Sequence, residues 1–349
     1  MITTCRYINA PVRLLLIVVM ISVFQVAGCG IARRPDIVDP VPAFRYPSQG
    51  GEKHLQLVSI LTDPYAEAFY QGSLLSKKTD RRKSLSKPVA IAFGPVNDYY
   101  LLDYGSGVVY VTDYADNGVL EKTRTLPRGI RRFPSAVDMA LAPDRKLWVT
   151  DSRLKRVFIL ESDGEIIDSI TGWFNRPVGV VYHPTLNKML VTDLAANSIT
   201  AFNLDGRLDG VYGTETGLEL NSPSYIAVGP DGDIYVVEGL TGLVRILDEN
   251  LKPKRVFGGL GDGPGYFSKP KGIAVDDDKN IYVADALFDN VQIFDQSGRL
   301  LLTLGTSGSS AGQFWQPAGI TIDGEQRILV ADMYNRRIQV FEWGSEVDR

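Results

Sequence analysis

From Lys87 to the C-terminus the chain repeats one pattern six times, and that repetition constrains the fold more than any other feature. The clearest copy is residues 269–294, KPKGIAVDDDKNIYVADALFDNVQIF. Gly272-Ile273-Ala274-Val275 alternates small and branched residues, a polar turn follows, and Ile281-Tyr282-Val283-Ala284-Asp285 alternates again. Val291-Gln292-Ile293-Phe294 makes a third run, and residues 300–304 a fourth after Ser297-Gly298. Period-two runs parted by Asp, Asn and Gly predict short antiparallel strands joined by tight turns, so one copy is a four-stranded meander. The copies superpose on Pro88, Pro134, Pro177, Pro223, Pro270 and Pro317, and each second strand ends in an acid: Asp103, Asp151, Asp193, Glu238, Asp285 and Asp332. Proline spacings in the forties match a propeller blade rather than a leucine-rich or ankyrin unit. Six copies predict an all-β, six-bladed β-propeller.

The last copy stops at Phe341-Glu342-Trp343 without a fourth strand, while residues 54–61, HLQLVSIL, stand alone before the first copy. Pairing that N-terminal strand onto the last blade would close the ring and leave no exposed edge where the chain ends meet. The pattern P-x-G-I-A-V-D, then I-Y-V-A-D, then V-Q-I-F-D, resembles the NHL repeat, and residues 317–341 match it as closely. The first two copies depart most: Ala90 replaces the glycine in one, and in the other two extra residues precede Asp138, which takes the glycine position.

Ahead of the propeller, residues 1–13 carry Arg6 and Arg13 and no acid, and residues 14–26 are apolar. Spanning a bilayer takes about 20 apolar residues, so this shorter block predicts a secretory leader, the alternative being an uncleaved anchor helix. Val26-Ala27-Gly28-Cys29 resembles the lipobox of bacterial lipoproteins, which implies removal of residues 1–28 and acylation of Cys29. One acyl chain anchors weakly, so the several chains that resemblance implies are what would hold the protein to a membrane. Gly30, where that family uses aspartate for inner-membrane retention, tilts the expected address to the outer membrane, facing the periplasm or the exterior. The other cysteine, Cys5, lies in the leader, so the propeller has no disulfide, cysteine metal site or thiol nucleophile. Residues 29–53, with four prolines, predict an extended tether, and residues 54–349 the propeller.

Between the lone strand and the first blade lies an insertion, residues 63–87, with Lys77, Lys78, Arg81, Arg82 and Lys83 against Asp80. It reads either as a solvated loop or as a docking element for an acidic surface or lipid headgroups. Elsewhere acids prevail. Lys and Arg total 37 against 41 Asp and Glu; loss of Arg6 and Arg13 with the leader leaves 35 against 41, a net charge of −6. That balance argues against a general polyanion binder and hence against nucleic acid.

The ring of strand-end acids suggests chemistry, but a requirement met in every blade belongs to the repeat: such an acid accepts backbone N–H groups and fixes the following turn. Glu238 is the deviant. At the first-strand position nearest the channel the residues are Ala90, Asp138, Gly179, Tyr225, Gly272 and Gly319, so Asp138 and Tyr225 deviate there. With Glu238 they could face one channel mouth and bind a ligand or a divalent cation; otherwise they fill the taper. Six-bladed gluconolactonase-like hydrolases hold a channel metal with Glu, Asn and Asp, and related lyases use histidines. Only His54 and His183 exist here, which excludes a multi-histidine site and leaves a hydrolase to rest on Asp138, Glu238 and a donor such as Asn197. No cofactor is expected.

The loops between second and third strands share one face and carry Tyr104, Leu154, Leu194, Leu240, Leu287, Phe288, Met333 and Tyr334. The connections between blades add Trp173, Phe174, Phe267, Phe314 and Trp315 to that face. Phe174, Phe267 and Phe314 recur just before the blade proline and read as core; Leu287, Phe288, Trp315 and Tyr334 read as a binding face. The function this predicts is a membrane-anchored, non-catalytic module that binds a protein or peptide of the cell envelope, the alternative being a channel-site hydrolase or lyase.

Overall fold

The computed structural model describes residues 44–48, 51–62, 84–94, 98–114, 120–128 and 132–344. The leader with Cys29, the first part of the tether and residues 63–83 of the insertion lie outside them.

Among the described residues there are five four-stranded antiparallel meanders that follow in chain order, and one five-stranded antiparallel sheet that joins the first two strands of the chain to the last three. Their inner strands are Pro88–Phe93, Ala136–Leu141, Pro177–His183, Pro223–Val228, Pro270–Val275 and Pro317–Ile322, for blades 1 to 6. Each inner strand packs against the next, and that of blade 6 against that of blade 1, so the ring closes. The six-bladed propeller read from the repeat is the fold.

Side chains on a strand alternate between its two faces, and in a propeller each face meets a neighbouring blade. Leu147 and Val149 therefore join the apolar layer shared with blade 1, while Trp148 between them joins the layer shared with blade 3. Six such layers fill the six seams. Second strands are enclosed on both faces, which is why Leu147–Asp151, Ile234–Glu238, Ile281–Asp285 and Ile328–Asp332 are buried at every residue.

The lone N-terminal strand closes the ring as expected. It runs Gly51–Leu61 and pairs antiparallel with Arg337–Gly344, from His54 opposite Gly344 to Leu61 opposite Ile338, with a register shift between Leu57 and Ser59. One feature differs from the sequence reading. Phe44–Ser48 forms a fifth strand of blade 6, paired from Phe44 opposite Leu55 to Ser48 opposite Gly51, so residues 44–48 and 51–53, assigned to the tether, belong to the sheet. Proline content argued against a strand there, but an outermost strand tolerates Pro47 because a missing N–H costs nothing on the open side. The ends of the insertion are also drawn together: the Leu85 N–H donates to the Thr62 carbonyl at 2.9 Å, and Leu85 is fully buried.

At the axis the small residues have the expected cause. A Cβ on Gly179, Gly272 or Gly319 would stand 2.6, 2.5 or 2.4 Å from the carbonyl oxygen of Ser224, Ala318 or Val89 on the following blade. Glycine there lets inner strands crowd.

Candidate functional site

The acids at the second-strand ends are turn fixtures. Asp193 accepts from the N–H groups of Asn175, Arg176, Ala195 and Ala196, and Asp285 from those of Ser268, Lys269, Leu287 and Phe288. Each carboxylate thus ties the connection entering its blade to the loop between its second and third strands. The residue after the acid adds a backbone bond between the same two segments, as from Leu194 to Arg176 and from Ala286 to Lys269. These bonds put both sets of loops on one face.

Glu238 belongs to this column and not to the channel. It is fully buried, accepts from the Asn221 N–H at 2.9 Å and the Thr241 hydroxyl at 2.7 Å, and pairs with the Arg245 guanidinium. Arg245 stands where Gln292 and Gln339 stand in blades 5 and 6. Deviation in the sequence therefore marked a changed partner rather than a ligand site. Asn197 is likewise engaged, its side-chain oxygen accepting from the Ser222 N–H at 2.8 Å across the seam between blades 3 and 4.

Asp138 and Tyr225 lie within electrostatic reach of each other. Asp138 accepts from the Val180 N–H of the next blade at 3.1 Å, and its charge reaches Tyr225, whose hydroxyl is raised first by burial and then by that carboxylate. Burial also pushes the Asp138 carboxyl up to about 7, against the pull of the Val180 and Met139 N–H groups. The sign of the linkage follows. The folded protein keeps a proton that the unfolded chain releases near the ordinary 3.8, so the stability contributed by this group falls as pH rises from about 4 to about 7 and changes no further above that. Replacing Asp138 with Asn should therefore change stability little at pH 4 and raise it at pH 8, on the order of 1–3 kcal/mol once channel water is allowed for. Urea unfolding of both proteins at the two pH values measures this; a difference independent of pH would contradict it.

Lys271 was missed by sequence reasoning. It follows the blade-5 proline where other blades carry Val89, Val137, Val178, Ser224 and Ala318, and comparing that column as the neighbouring one was compared would have found it. The side chain is half-buried, and burial, then the nearby Lys269, lower its ammonium to about 8. Among the described residues no three His, Cys, Asp or Glu side chains converge to hold a metal ion.

On the loop face Leu240, Leu287, Trp173 and Trp315 are more than half exposed, and Tyr104, Leu154 and Tyr334 are exposed too. Trp315 and Tyr334 lie against each other with ring centroids 5.5 Å apart, and the Lys87 ammonium sits 5.2 Å over the Tyr334 ring. Phe288 and Leu194 are half-buried and Met333 is buried. Phe174, Phe267 and Phe314 are core, as their recurrence implied. Leu260 and Tyr266, also exposed, join the face from a glycine-rich connection that gave no periodic signal. That connection is held by Gln292, which accepts from the Gly265 N–H at 3.0 Å and donates to the Tyr266 carbonyl at 2.7 Å. Gln339 grips the connection carrying Trp315 through Gly312 and Gln313. His183 serves the opposite face: its Nδ1 accepts from the Leu186 N–H, so Nε2 carries the proton and donates to the Gly232 carbonyl at 2.9 Å.

A protein-family profile described as a 6-bladed beta-propeller matches residues 277–346. No curated protein matches the chain. Solved structures do. An auxiliary nutrient binding protein from Bacteroides thetaiotaomicron aligns with a TM-score of 0.62 at 16% identity, over 84% of this chain and 77% of its own. A gluconolactonase from Xanthomonas campestris gives 0.59 at 14%, over 87% and 95%. Virginiamycin B lyase from Staphylococcus aureus gives 0.56 at 15%, over 83% and 99%. The likeness is one of fold, and the neighbours differ in function.

Proposed function

We propose that this protein is a lipid-anchored propeller of the cell envelope, held through Cys29, that binds a protein or peptide across its loop face. The observation that carries the reading is the exposed apolar set on that face, centred on Leu287, Trp315 and Tyr334. Exposed apolar surface gathered on one side and rimmed by polar groups marks an interaction site, and aromatic side chains are its usual anchors. The loops bearing these residues are pinned by buried carboxylates and glutamines, so the face is preorganised and little ordering entropy is lost on binding. The printed description of one structural neighbour, a nutrient binding protein, supports a binding role for such a ring. Catalysis in the channel, which two other neighbours suggest, has lost its third expected group now that Glu238 is committed to Arg245.

A photo-crosslinking residue placed at Leu287 in intact envelopes, and in a second protein at Asp277 on the opposite face, tests the reading. One discrete adduct should form from position 287 and none from 277. Changing Trp315 and Tyr334 to Ser should abolish that adduct while leaving the thermal midpoint within a few degrees, since exposed substitutions cost about 0.5 kcal/mol or less. Equal adducts from both faces, or none from 287, would remove the face from consideration. Cys29→Ser should release the protein from membranes, and retention would refute the anchor.

A further inference from the structure

The loop face carries its charge unevenly. From blade 6 through blades 1 and 2 to the start of blade 3, its loops and connections bear Arg336, Lys87, Arg132, Arg153, Lys155 and Arg176. All are exposed except the half-buried Lys87, and none has an ion-pair partner among the described residues. Contacts across the seams make these segments one arc. The Lys87 ammonium sits over the Tyr334 ring of blade 6, and the Lys87 carbonyl accepts from the Tyr104 N–H of blade 1 at 2.9 Å. Arg132, entering blade 2, donates to the Ser106 carbonyl of blade 1 at 2.5 Å. The Ser152 hydroxyl of blade 2 donates to the Pro177 carbonyl at 2.5 Å, beside Arg176 at the entry to blade 3. The strand-end carboxylates Asp103, Asp151 and Asp193 beneath the arc are buried and held by backbone N–H groups. Among the described residues the other acids of these loops and connections, Glu215, Glu219, Asp262 and Asp289, all lie at blades 4 and 5. In a chain with a net charge of −4, six bases gathered on half of one face make a field complementary to an anionic partner.

We propose that the segment docking on the loop face is an acidic peptide, its Asp and Glu side chains lying over the arc from blade 6 to blade 3 and an apolar side chain resting against Trp315 and Tyr334. The proposal rests on the reading of this face as a protein or peptide site and adds the chemistry of the partner. Charge and anchor adjoin, since Lys87 covers the ring that Trp315 packs against. Leu287 neighbours the same end, because Asp289 on its loop accepts from the Gln316 N–H at 2.7 Å. The acids of blades 4 and 5 set the extent. A bilayer of anionic lipid or a nucleic acid laid across the whole face would be pressed against Glu215, Glu219 and Asp262, whereas a peptide follows half the ring and avoids them.

The test uses the full-length protein with the photo-crosslinking residue at position 287, in intact envelopes, beside the same protein carrying Arg153→Glu, Lys155→Glu and Arg176→Glu. The corresponding Gln triple stands in should the first fail to fold. Adduct yield should fall about tenfold or more on charge reversal and severalfold on neutralisation, because like charges across an interface repel. Glu215→Gln with Glu219→Gln should leave it unchanged. An undiminished adduct in the reversed protein overturns the acidic partner and leaves the docking face standing; no adduct from the native face removes the face itself. Random peptides displayed on phage and selected on the intact protein read the chemistry directly. Asp and Glu should be enriched about twofold or more over the input, and the selected peptides should bind more weakly as salt rises from about 0.05 to about 0.5 M. Enrichment of uncharged or basic peptides overturns the proposal. With the anchored protein in vesicles, brominated phosphatidylglycerol should leave the fluorescence of Trp173 and Trp315 unquenched; quenching would give the arc to lipid and overturn the peptide.

Discussion

A chain lacking residues 51–61 is expected to yield no folded propeller. Among the described residues they form the strand paired to the outer side of Arg337–Gly344, and they meet it from His54 to Leu61. Leu55 and Leu61 are buried to within 2% of completely, Leu55 among Phe341, Tyr282 and Phe314, and Leu61 among Leu329 and Ile338. Full burial of a leucine contributes about 1.5–3 kcal/mol, and two of them together with the strand's backbone hydrogen bonds, at about 1 kcal/mol each, approach the about 5–15 kcal/mol that holds a whole domain. Removal would also expose the Arg337–Gly344 strand as an edge open to other chains, and Phe44–Ser48 would lose the strand it pairs with. Near-ultraviolet circular dichroism and size-exclusion chromatography of the deletion protein are the measurements. Loss of the tertiary signal with aggregation is the expected outcome, partly reversed by a synthetic 51–61 peptide; a monomer with a native melting curve would show that the ring does not depend on its clasp.

The ring was legible in the sequence because each blade must satisfy the same packing on both faces. That requirement writes the same proline, the same strand-end acid and the same alternation six times, so errors in one copy are corrected by the other five. Features present once carry no such redundancy. Among the described residues the strand Phe44–Ser48 has no counterpart in other blades, and its proline reads as tether unless its place at the sheet edge is known. Glu238 was read as a channel group because its departure from aspartate was visible while its partner, Arg245, seven residues away, was not evident without the strand pairing that brings them together. Lys271 is the converse case, a departure in a column that had not been compared. Leu260 and Tyr266 lie on a connection whose shape is set by glycines and by Gln292, a long-range clamp that periodicity does not report. The loop acids succeeded for a physical reason: a carboxylate at a strand end has backbone N–H groups within reach whatever the rest of the blade contains.

Among those acids Asp332 should be the one whose loss costs most. Burial raises its carboxyl above the ordinary carboxylate range despite the Trp315 N–H and Arg337 that oppose the shift, so the Asp332–Arg337 pair as a whole adds little net stability. Removing one member is different. In Asp332→Ala the Arg337 guanidinium, whose side chain is 9% exposed, would remain charged and enclosed without its carboxylate, a change that costs about 3–5 kcal/mol. Asp285 accepts four backbone N–H groups and pairs with no cation among the described residues. Asp285→Ala leaves only neutral donors unsatisfied, at about 1–3 kcal/mol. Urea denaturation of the two variants should separate them in that order, and the double variant Asp332→Leu, Arg337→Met should recover much of the loss, a non-additivity that reports the stranded charge. The same substitution reaches the binding face. Asp332 holds the Trp315 N–H at 2.8 Å, and Arg337 holds the carbonyls of Ser309, Ser310 and Gln313 on the same connection. Asp332→Ala should therefore loosen Trp315 against Tyr334 and weaken partner capture at temperatures where the ring is still folded, whereas Asp285→Ala should leave Trp315 fluorescence unchanged. An Asp332 variant no less stable than the Asp285 variant would mean that Arg337 finds its neutralisation elsewhere, and that the acid and the aromatic face are not mechanically linked.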